Sequence, residues 1–422
     1  MAKIRDSLGG RALGRVGRSR LLVFLGVLGP GLIAANANND AGGITTWSIA
    51  GARYGYSLLW VLIVLTPMLA ITQEMGARMG TVTGKGLSSL IRERFSLRMT
   101  AFAMLTLLIA NLGTTAAEFS GVAGAAELFG VPRYVGVPVV AVVVWALVVR
   151  GSYRRVERVF LGLSTIYLTY IVSATLSHPG WRAAGRGAAG LEMDWTTGVV
   201  LFLIVTVGTT ITPWGQFFIQ AYVVDKRVPV NQYIYTKLEV FSASVFSDLI
   251  SAFIVIACAA TLHRQGIVIE TAEDAARALR PFAGDLAWVL FGIGLLNVSI
   301  LAAAVLPLTT AYAVCEAFGF ESGLDWSFRE APTFYGIITA VLALPALLVL
   351  VPGMPLIGLI LTAQSVNGIL TPVILVFVLI IVNDRRVMGE YVNSRGYNVA
   401  AWAFTALVVV LSVALVGVTL FA

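Results

Sequence analysis

Gly29-Pro30-Gly31-Leu32-Ile33-Ala34-Ala35-Asn36-Ala37-Asn38-Asn39-Asp40-Ala41-Gly42-Gly43-Ile44-Thr45-Thr46 is the stretch from which the rest of the chain can be read. Apolar sequence runs up to it from Leu21 and resumes after it towards Tyr54. Its middle carries three Asn, one Asp and a pair of Gly. A hydrophobic helix interrupted in this way leaves backbone amides and carbonyls unpaired at mid-membrane. That is tolerated only where the break lines a cavity or binds something. A carboxylate at such a place is costly, so Asp40 is a candidate functional residue from the start.

Composition agrees. Of 422 residues, 58% are hydrophobic and 12% charged, against roughly a quarter charged in soluble domains. The net charge of +7 lies in short loops between apolar runs. It therefore reads as membrane topology and not as a nucleic-acid-binding face. The two cysteines, Cys258 and Cys315, sit in or at the ends of apolar segments, which argues against a disulfide framework or a Cys-based metal site. The basic start lacks a small-residue cleavage site, so no cleavable signal peptide is expected.

Eleven spans are expected, at about 21–52, 55–79, 100–127, 135–150, 158–177, 196–223, 238–262, 284–315, 335–352, 355–382 and 399–421. Lys85, Arg92, Arg94 and Arg98 follow the second, and Arg150, Arg154, Arg155 and Arg158 the fourth. Lys226 and Arg227 follow the sixth, and Arg385 and Arg386 the tenth. All fall on the side of the basic N-terminus, which the positive-inside rule places in the cytoplasm of a plasma-membrane protein. With an odd number of spans the C-terminus is then external. The expected organisation is a cytoplasmic N-terminus (1–20), a first repeat of five spans (21–177), an external loop (178–195), a second repeat (196–382), a cytoplasmic loop (383–398) and a last span (399–422).

A second interrupted span is expected at Gly208-Thr209-Thr210-Ile211-Thr212-Pro213-Trp214-Gly215-Gln216, because Pro removes a backbone donor and crowds the preceding turn. A simple Pro kink satisfied by Thr hydroxyls would leave the same trace. The breaks fall in spans one and six, however, the corresponding positions of two five-span halves, and such a pair points to an inverted-repeat transporter site. Few other charges lie within spans. Glu74 stands four residues before Arg78, an ordinary helical pair. Glu239 and Glu316 read as solvated charges near the cytoplasmic interface. Asp248 reads as part of a polar packing network, with an ion path as the alternative. Glu118 lies deep among small neighbours and fits either a cavity lining or a helix-packing hydrogen bond. Both histidines, His178 and His263, fall in expected external loops, so the side chain suited to relaying protons near neutral pH is missing from every span.

Over nearly its whole length the chain resembles the Nramp family of divalent-metal transporters. The blocks that carry the resemblance are Gly29-Pro30-Gly31, Asp40-Ala41-Gly42, Gly51 to Trp60, Gln73-Glu74-Met75-Gly76 leading to Lys85, Ala117 to Gly121 with Leu128 to Pro132, and Asn383 to Gly389. The resemblance implies an all-α integral membrane protein of LeuT-type fold, with eleven transmembrane helices, two five-helix inverted repeats plus one, and helices 1 and 6 broken. It also implies a monomer. Departures from the family pattern are informative. Typical members read Asp-Pro-Gly-Asn at the first break, and here Gly43 replaces the amide ligand. At the second break they read Met-Pro-His, and here Thr212-Pro213-Trp214 stands. A further family His is matched by Gln220, and a family Asp ahead of Glu118 by Thr115.

Losing a thioether leaves oxygen ligands, which suit Mg²⁺, Ca²⁺ and Mn²⁺, and Mg²⁺ usually keeps several waters. The expected site is Asp40 for charge, with Thr209, Thr212 and freed carbonyls around Ala37 and Thr209 orienting water, and Gln364 adding an oxygen. Gly43 and Thr212 would make room. Glu118, Thr115, Gln220 and Asp248 are the candidates for a cavity or ion path. Without the histidines and the Asp, uptake of partly hydrated Mg²⁺, with Mn²⁺ also passing, is expected to proceed without proton coupling. This pattern resembles the Nramp-related magnesium transporter branch. The alternatives are a proton-coupled Mn²⁺/Fe²⁺ symporter and a Na⁺-coupled symporter for an organic solute, the latter disfavoured by a carboxylate at the break. A signalling receptor would want a long soluble tail. No nucleophile–base set or nucleotide loop suggests an enzyme, and no cofactor is expected beyond the substrate ion.

Overall fold

The computed structural model describes residues 39–149, 166, 168–191, 193–324 and 326–421. The N-terminal stretch with Gly29-Pro30-Gly31 and Ala37, the basic cluster from Arg150 to Arg158 and the start of the expected fifth span (158–165 and 167) lie outside them. Among the described residues all regular structure is helical. The chain runs through α1 (Ala41–Tyr54), α2 (Leu59–Thr83), α3 (Leu87–Arg94), α4 (Leu97–Leu128), α5 (Arg133–Val149), α6 (Leu168–Leu176), α7 (Trp181–Ala188), α8 (Thr197–Thr210) and α9 (Pro213–Asp225). It continues through α10 (Tyr233–Thr261), α11 (Ala272–Ala276), α12 (Arg280–Ala283), α13 (Ala287–Phe318), α14 (Pro332–Val349), α15 (Leu356–Val382), α16 (Arg385–Met388) and α17 (Arg395–Phe421). Eight helical segments among the described residues are long and apolar enough to cross a membrane, and α5 is a shorter apolar helix of 17 residues.

The expected sixth span is two helices. α8 stops at Thr210, and α9 starts at Pro213 with Thr212 as its cap. Pro at the first helical position needs no amide donor, so it opens α9 easily while closing α8. The loop between spans seven and eight, expected as plain loop, holds α11 and α12. Thr271 and Asp274 start α11 with a reciprocal capping box, which satisfies two exposed amides at once.

α1 lies at the centre, and every residue from Ala41 to Ala52 is buried. It packs on α10, while α4 packs on α13 and α15, α8 on α15, and α9 on α2. Glycines set the closest approaches. A Cβ on Gly51 would lie 2.4 Å from the Val255 carbonyl of α10. One on Gly121 of α4 would lie 2.6 Å from the Ala41 Cβ. Small residues let apolar helices associate by backbone contact where no hydrophobic difference from lipid drives them.

At the Lys85 end, Glu74 and Arg78 form the expected pair at 3.2 Å. Arg78 also donates to the Tyr391 carbonyl at 2.9 Å and to the Asn393 amide oxygen, tying α2 to the loop before α17. Glu316, exposed on α13, accepts from the Ser88 and Ser89 hydroxyls of α3. Glu239 lies 3.6 Å from Lys226. His263 bonds the Ala52 carbonyl through Nδ1 at 2.9 Å, against the end of α1.

Candidate functional site

Asp40 is the N-cap of α1. Its Oδ1 accepts the Gly43 amide at 2.7 Å, and the residue is 3% exposed. The carboxylate thus offsets the positive end of the helix dipole on which it sits. Asn39, one residue earlier, donates through Nδ2 to Ser247 Oγ at 3.2 Å and accepts from Ser251 Oγ at 3.3 Å. Both ends of that amide are held by α10, which fixes the turn that aims Asp40.

Glu118 approaches from α4. Its Oε2 accepts the Ala41 amide at 3.3 Å, its Oε1 is buried without a partner, and its carboxyl neighbours that of Asp40. Of the two roles the sequence offers for Glu118, the structure shows the packing bond to α1, made through one carboxylate oxygen beside Asp40.

α15 brings the two breaks together. The Gln364 Nε2 lies 1.8 Å, and the Asp40 Oδ1 3.1 Å, from where a Cβ on Gly42 would sit. Only glycine allows that approach. The Gln364 carbonyl lies 1.9 Å from where a Cβ on Gly208 would sit, so α8 closes on the same turn of α15. Two turns further, Thr371 Oγ1 donates to the Ile211 carbonyl at 2.6 Å, which satisfies a backbone group released by the second break. Thr209 keeps a free carbonyl for a covalent reason, because its helical donor would be the amide that Pro213 lacks. Its Oγ1 is also buried without a partner.

The remaining candidates separate. The Thr212 hydroxyl accepts the Gly215 amide at 3.3 Å as the cap of α9. Gly43 contributes no side chain beside Asp40. Gln364 was expected to offer an oxygen, but its Oε1 accepts from Asn367 Nδ2 at 3.1 Å, and Nε2 is left unpaired at the break. Thr115 donates to its own helix at the Asn111 carbonyl, 2.7 Å away. Gln220 lies further along α9, where it donates to the Lys85 carbonyl at 2.8 Å. Asp248 accepts from Thr66 of α2 at 2.7 Å, a packing contact beside the serines that hold Asn39. Ala37 lies outside the described residues.

Three residues went unmarked in the sequence reading. Asn39 was visible as polar but not as an anchor. Asn367 is fully buried, bonds Thr114 Oγ1 at 2.9 Å and Gln364, and keeps Oδ1 unpaired. Gln216 is fully buried with neither amide atom paired. A polar residue inside an apolar span was the available signal for each.

A cavity of about 600 Å³ lies between α4, α13 and the α11 side, close to the site but not lined by Asp40 or Glu118 themselves. Glu127, Glu270 and Glu273 line it, with Thr45 and Gly121 about a turn from Asp40 and Glu118 along their helices. Neither break contains Met, Cys or His. Beside Asp40 lie the Glu118 carboxyl and, across Gly42, the Gln364 carboxamide, oxygen and nitrogen groups without a soft ligand among them.

Comparison with known proteins identifies the family. Residues 31–417 match the family model described as Nramp, natural resistance-associated macrophage protein-like. The chain is 28% identical to the divalent metal cation transporter MntH of Deinococcus radiodurans, covering 97% of this chain and 92% of that protein. It is 30% identical to the MntH of Ralstonia nicotianae, covering 92% and 90% respectively. Among solved structures it resembles the Eremococcus coleocola manganese transporter, with a TM-score of 0.73 at 21% identity over 94% of this chain and 87% of that one. It also resembles MhsT bound to L-phenylalanine, with a TM-score of 0.59 at 16% identity over 91% of this chain and 98% of that one.

Proposed function

The chain belongs to the Nramp family and transports divalent metal cations, and from that premise we propose that its preferred substrate is Mg²⁺, carried partly hydrated and without proton coupling. Mn²⁺ is a second permeant ion in this reading. The observation that carries it is the set of buried polar atoms left unpaired around the breaks: Glu118 Oε1, Thr209 Oγ1, Gln364 Nε2 and Asn367 Oδ1. Buried polar groups in native proteins find partners. A bare cation could serve only the acceptors, whereas water around an ion can meet donors and acceptors alike. A site that keeps its ion's water suits Mg²⁺, which dehydrates reluctantly.

The donor types support the same choice. Thr212 stands where a thioether would favour softer metals, and Gly43 leaves space beside Asp40. Asp40 and Glu118 supply the charge, and the carbonyl end of α8 adds the negative end of a helix dipole. In our reading the ion enters by the α11-side cavity from outside the cell and leaves at the cytoplasmic Lys85 end. The N-terminus is then cytoplasmic, the C-terminus external and the working unit a monomer. At 100 mV each elementary charge gains about 2.3 kcal/mol, so a divalent cation enters without a proton gradient. A related solved structure is named a manganese transporter, and the second reading is accordingly Mn²⁺ as the main substrate of the same site, with the proton-coupled Mn²⁺/Fe²⁺ symporter as its coupled form.

Selectivity distinguishes the two. The double variant Gly43→Asn, Thr212→Met narrows the site and adds a soft ligand. Its uptake in proteoliposomes should shift towards Mn²⁺ and Cd²⁺ and away from Mg²⁺. Unchanged selectivity would rule out the pocket-size argument.

A further inference from the structure

We infer that Gln216 is a positioning residue for the departing ion, a buried carboxamide that hydrogen-bonds the cation's water between the Asp40 site and the Lys85 end. The inference rests on the transport reading above and adds a residue and a step to it. Thr212, Gln216 and Gln220 recur every four residues along α9, so they share one face of that helix. The backbone of that stretch abuts α2, since a Cβ on Gly76 would lie 2.8 Å from Ile219 Cγ2 and 3.5 Å from the Gln216 carbonyl, and one on Gly80 2.9 Å from the Gln220 carbonyl. The stripe begins at the second break, where Thr212 caps α9, and ends where Gln220 donates to the Lys85 carbonyl.

Gln216 and Gln220 are both fully buried. Gln216 Nε2 and Oε1 have no partner, and neither does Gln220 Oε1. A carboxamide held dry and unpaired costs folding stability that an apolar side chain of the same shape would not. Its place directly along the helix from the ion site gives those atoms a use. Coordinated water turns its hydrogens outward, where Oε1 can accept them, and Nε2 can donate to a neighbouring water. The absence of charge matters as well. Conduction needs binding strong enough to draw the ion in and weak enough to let it go. A carboxylate at this position would hold a divalent cation, whereas a neutral dipole passes it on.

The test is the concentration dependence of Mg²⁺ and Mn²⁺ uptake in proteoliposomes for wild type, Gln216→Leu and Gln216→Glu, each normalised to monodisperse protein. Gln216→Met replaces Gln216→Leu if that variant is not monodisperse. Gln216→Leu should lower Vmax about fivefold, the size of one net hydrogen bond, with KM little changed. Gln216→Glu should lower KM and Vmax together, because the ion binds more tightly and leaves more slowly. A purely structural role would lower Vmax in both variants without the fall in KM that Gln216→Glu alone should show. Wild-type KM and Vmax in both variants, or a loss of Vmax in both with no fall in KM for Gln216→Glu, would overturn the assignment. A wild type that carries Mn²⁺ but not Mg²⁺ would overturn the magnesium preference, and the Gln216 split would then be decided on the Mn²⁺ curves.

Discussion

Asp40 caps α1 through Gly43 and sits beside the Glu118 carboxyl at the start of the helix. Asp40→Ala removes both the charge and the cap. Divalent-cation uptake should fall to the level of empty liposomes, and intact flux would show that the ion passes elsewhere. Gly42 offers a sharper test of the geometry. In Gly42→Ala the new Cβ meets Gln364 Nε2 at 1.8 Å, and overpacking of this kind costs about 1–3 kcal/mol. The side chain in the way is a flexible one, so adding Gln364→Ala should restore most of the lost thermal stability, as read from unfolding in detergent. Failure of that rescue would mean that the two groups do not meet. At this scale the sequence was legible where chemistry is costly. A carboxylate, paired glycines and a Pro inside apolar runs announce themselves. Gln364 was legible as polar but not in orientation, because the Asn367 amide that turns its oxygen away lies on the next turn and becomes a partner only once α15 is built.

Among the elements, the decisive one is the turn of α15 from Gln364 to Gly368, on which both breaks converge. A Cβ on Gly208 would meet the Gln364 carbonyl at 1.9 Å and the Gly368 amide at 2.4 Å. Backbone cannot swing aside as a side chain can. Gly208→Ala should therefore destabilise the protein more than Gly42→Ala does, with no rescue by Gln364→Ala, and an equal or smaller loss of thermal stability would contradict this packing. Asn39 is the second elemental hinge. Asn39→Ala frees the start of α1 from Ser247 and Ser251, and should cut uptake severalfold while leaving the protein monodisperse. Interruption of the sixth span could be read in advance because Pro213 breaks the helix by covalent structure. The anchoring of Asn39 could not, since its partners are more than 200 positions away in sequence. The short helices of the loop between α10 and α13 were also hidden, being set by capping and not by hydropathy.

For the whole molecule, the arrangement is a rigid frame of α4, α13 and α15 against which α1, α8 and α9 present their ends to one another. The frame is legible as hydropathy, and the family resemblance supplies its topology. The path through it is less so, because a path is defined by atoms left unpaired, and pairing is a property of the folded state. The sequence offers many polar residues inside spans, and only the structure separates those that serve packing, such as Asp248 and Thr115, from those left open at the breaks. The central claim is that this path carries a hydrated divalent cation driven by the membrane potential alone. It is tested most directly by Mg²⁺ influx into proteoliposomes at fixed membrane potential, with an internal pH dye read in parallel. Mg²⁺ entry should scale with the potential and leave internal pH unchanged. Proton entry that tracks Mn²⁺, with Mg²⁺ inert, would contradict it.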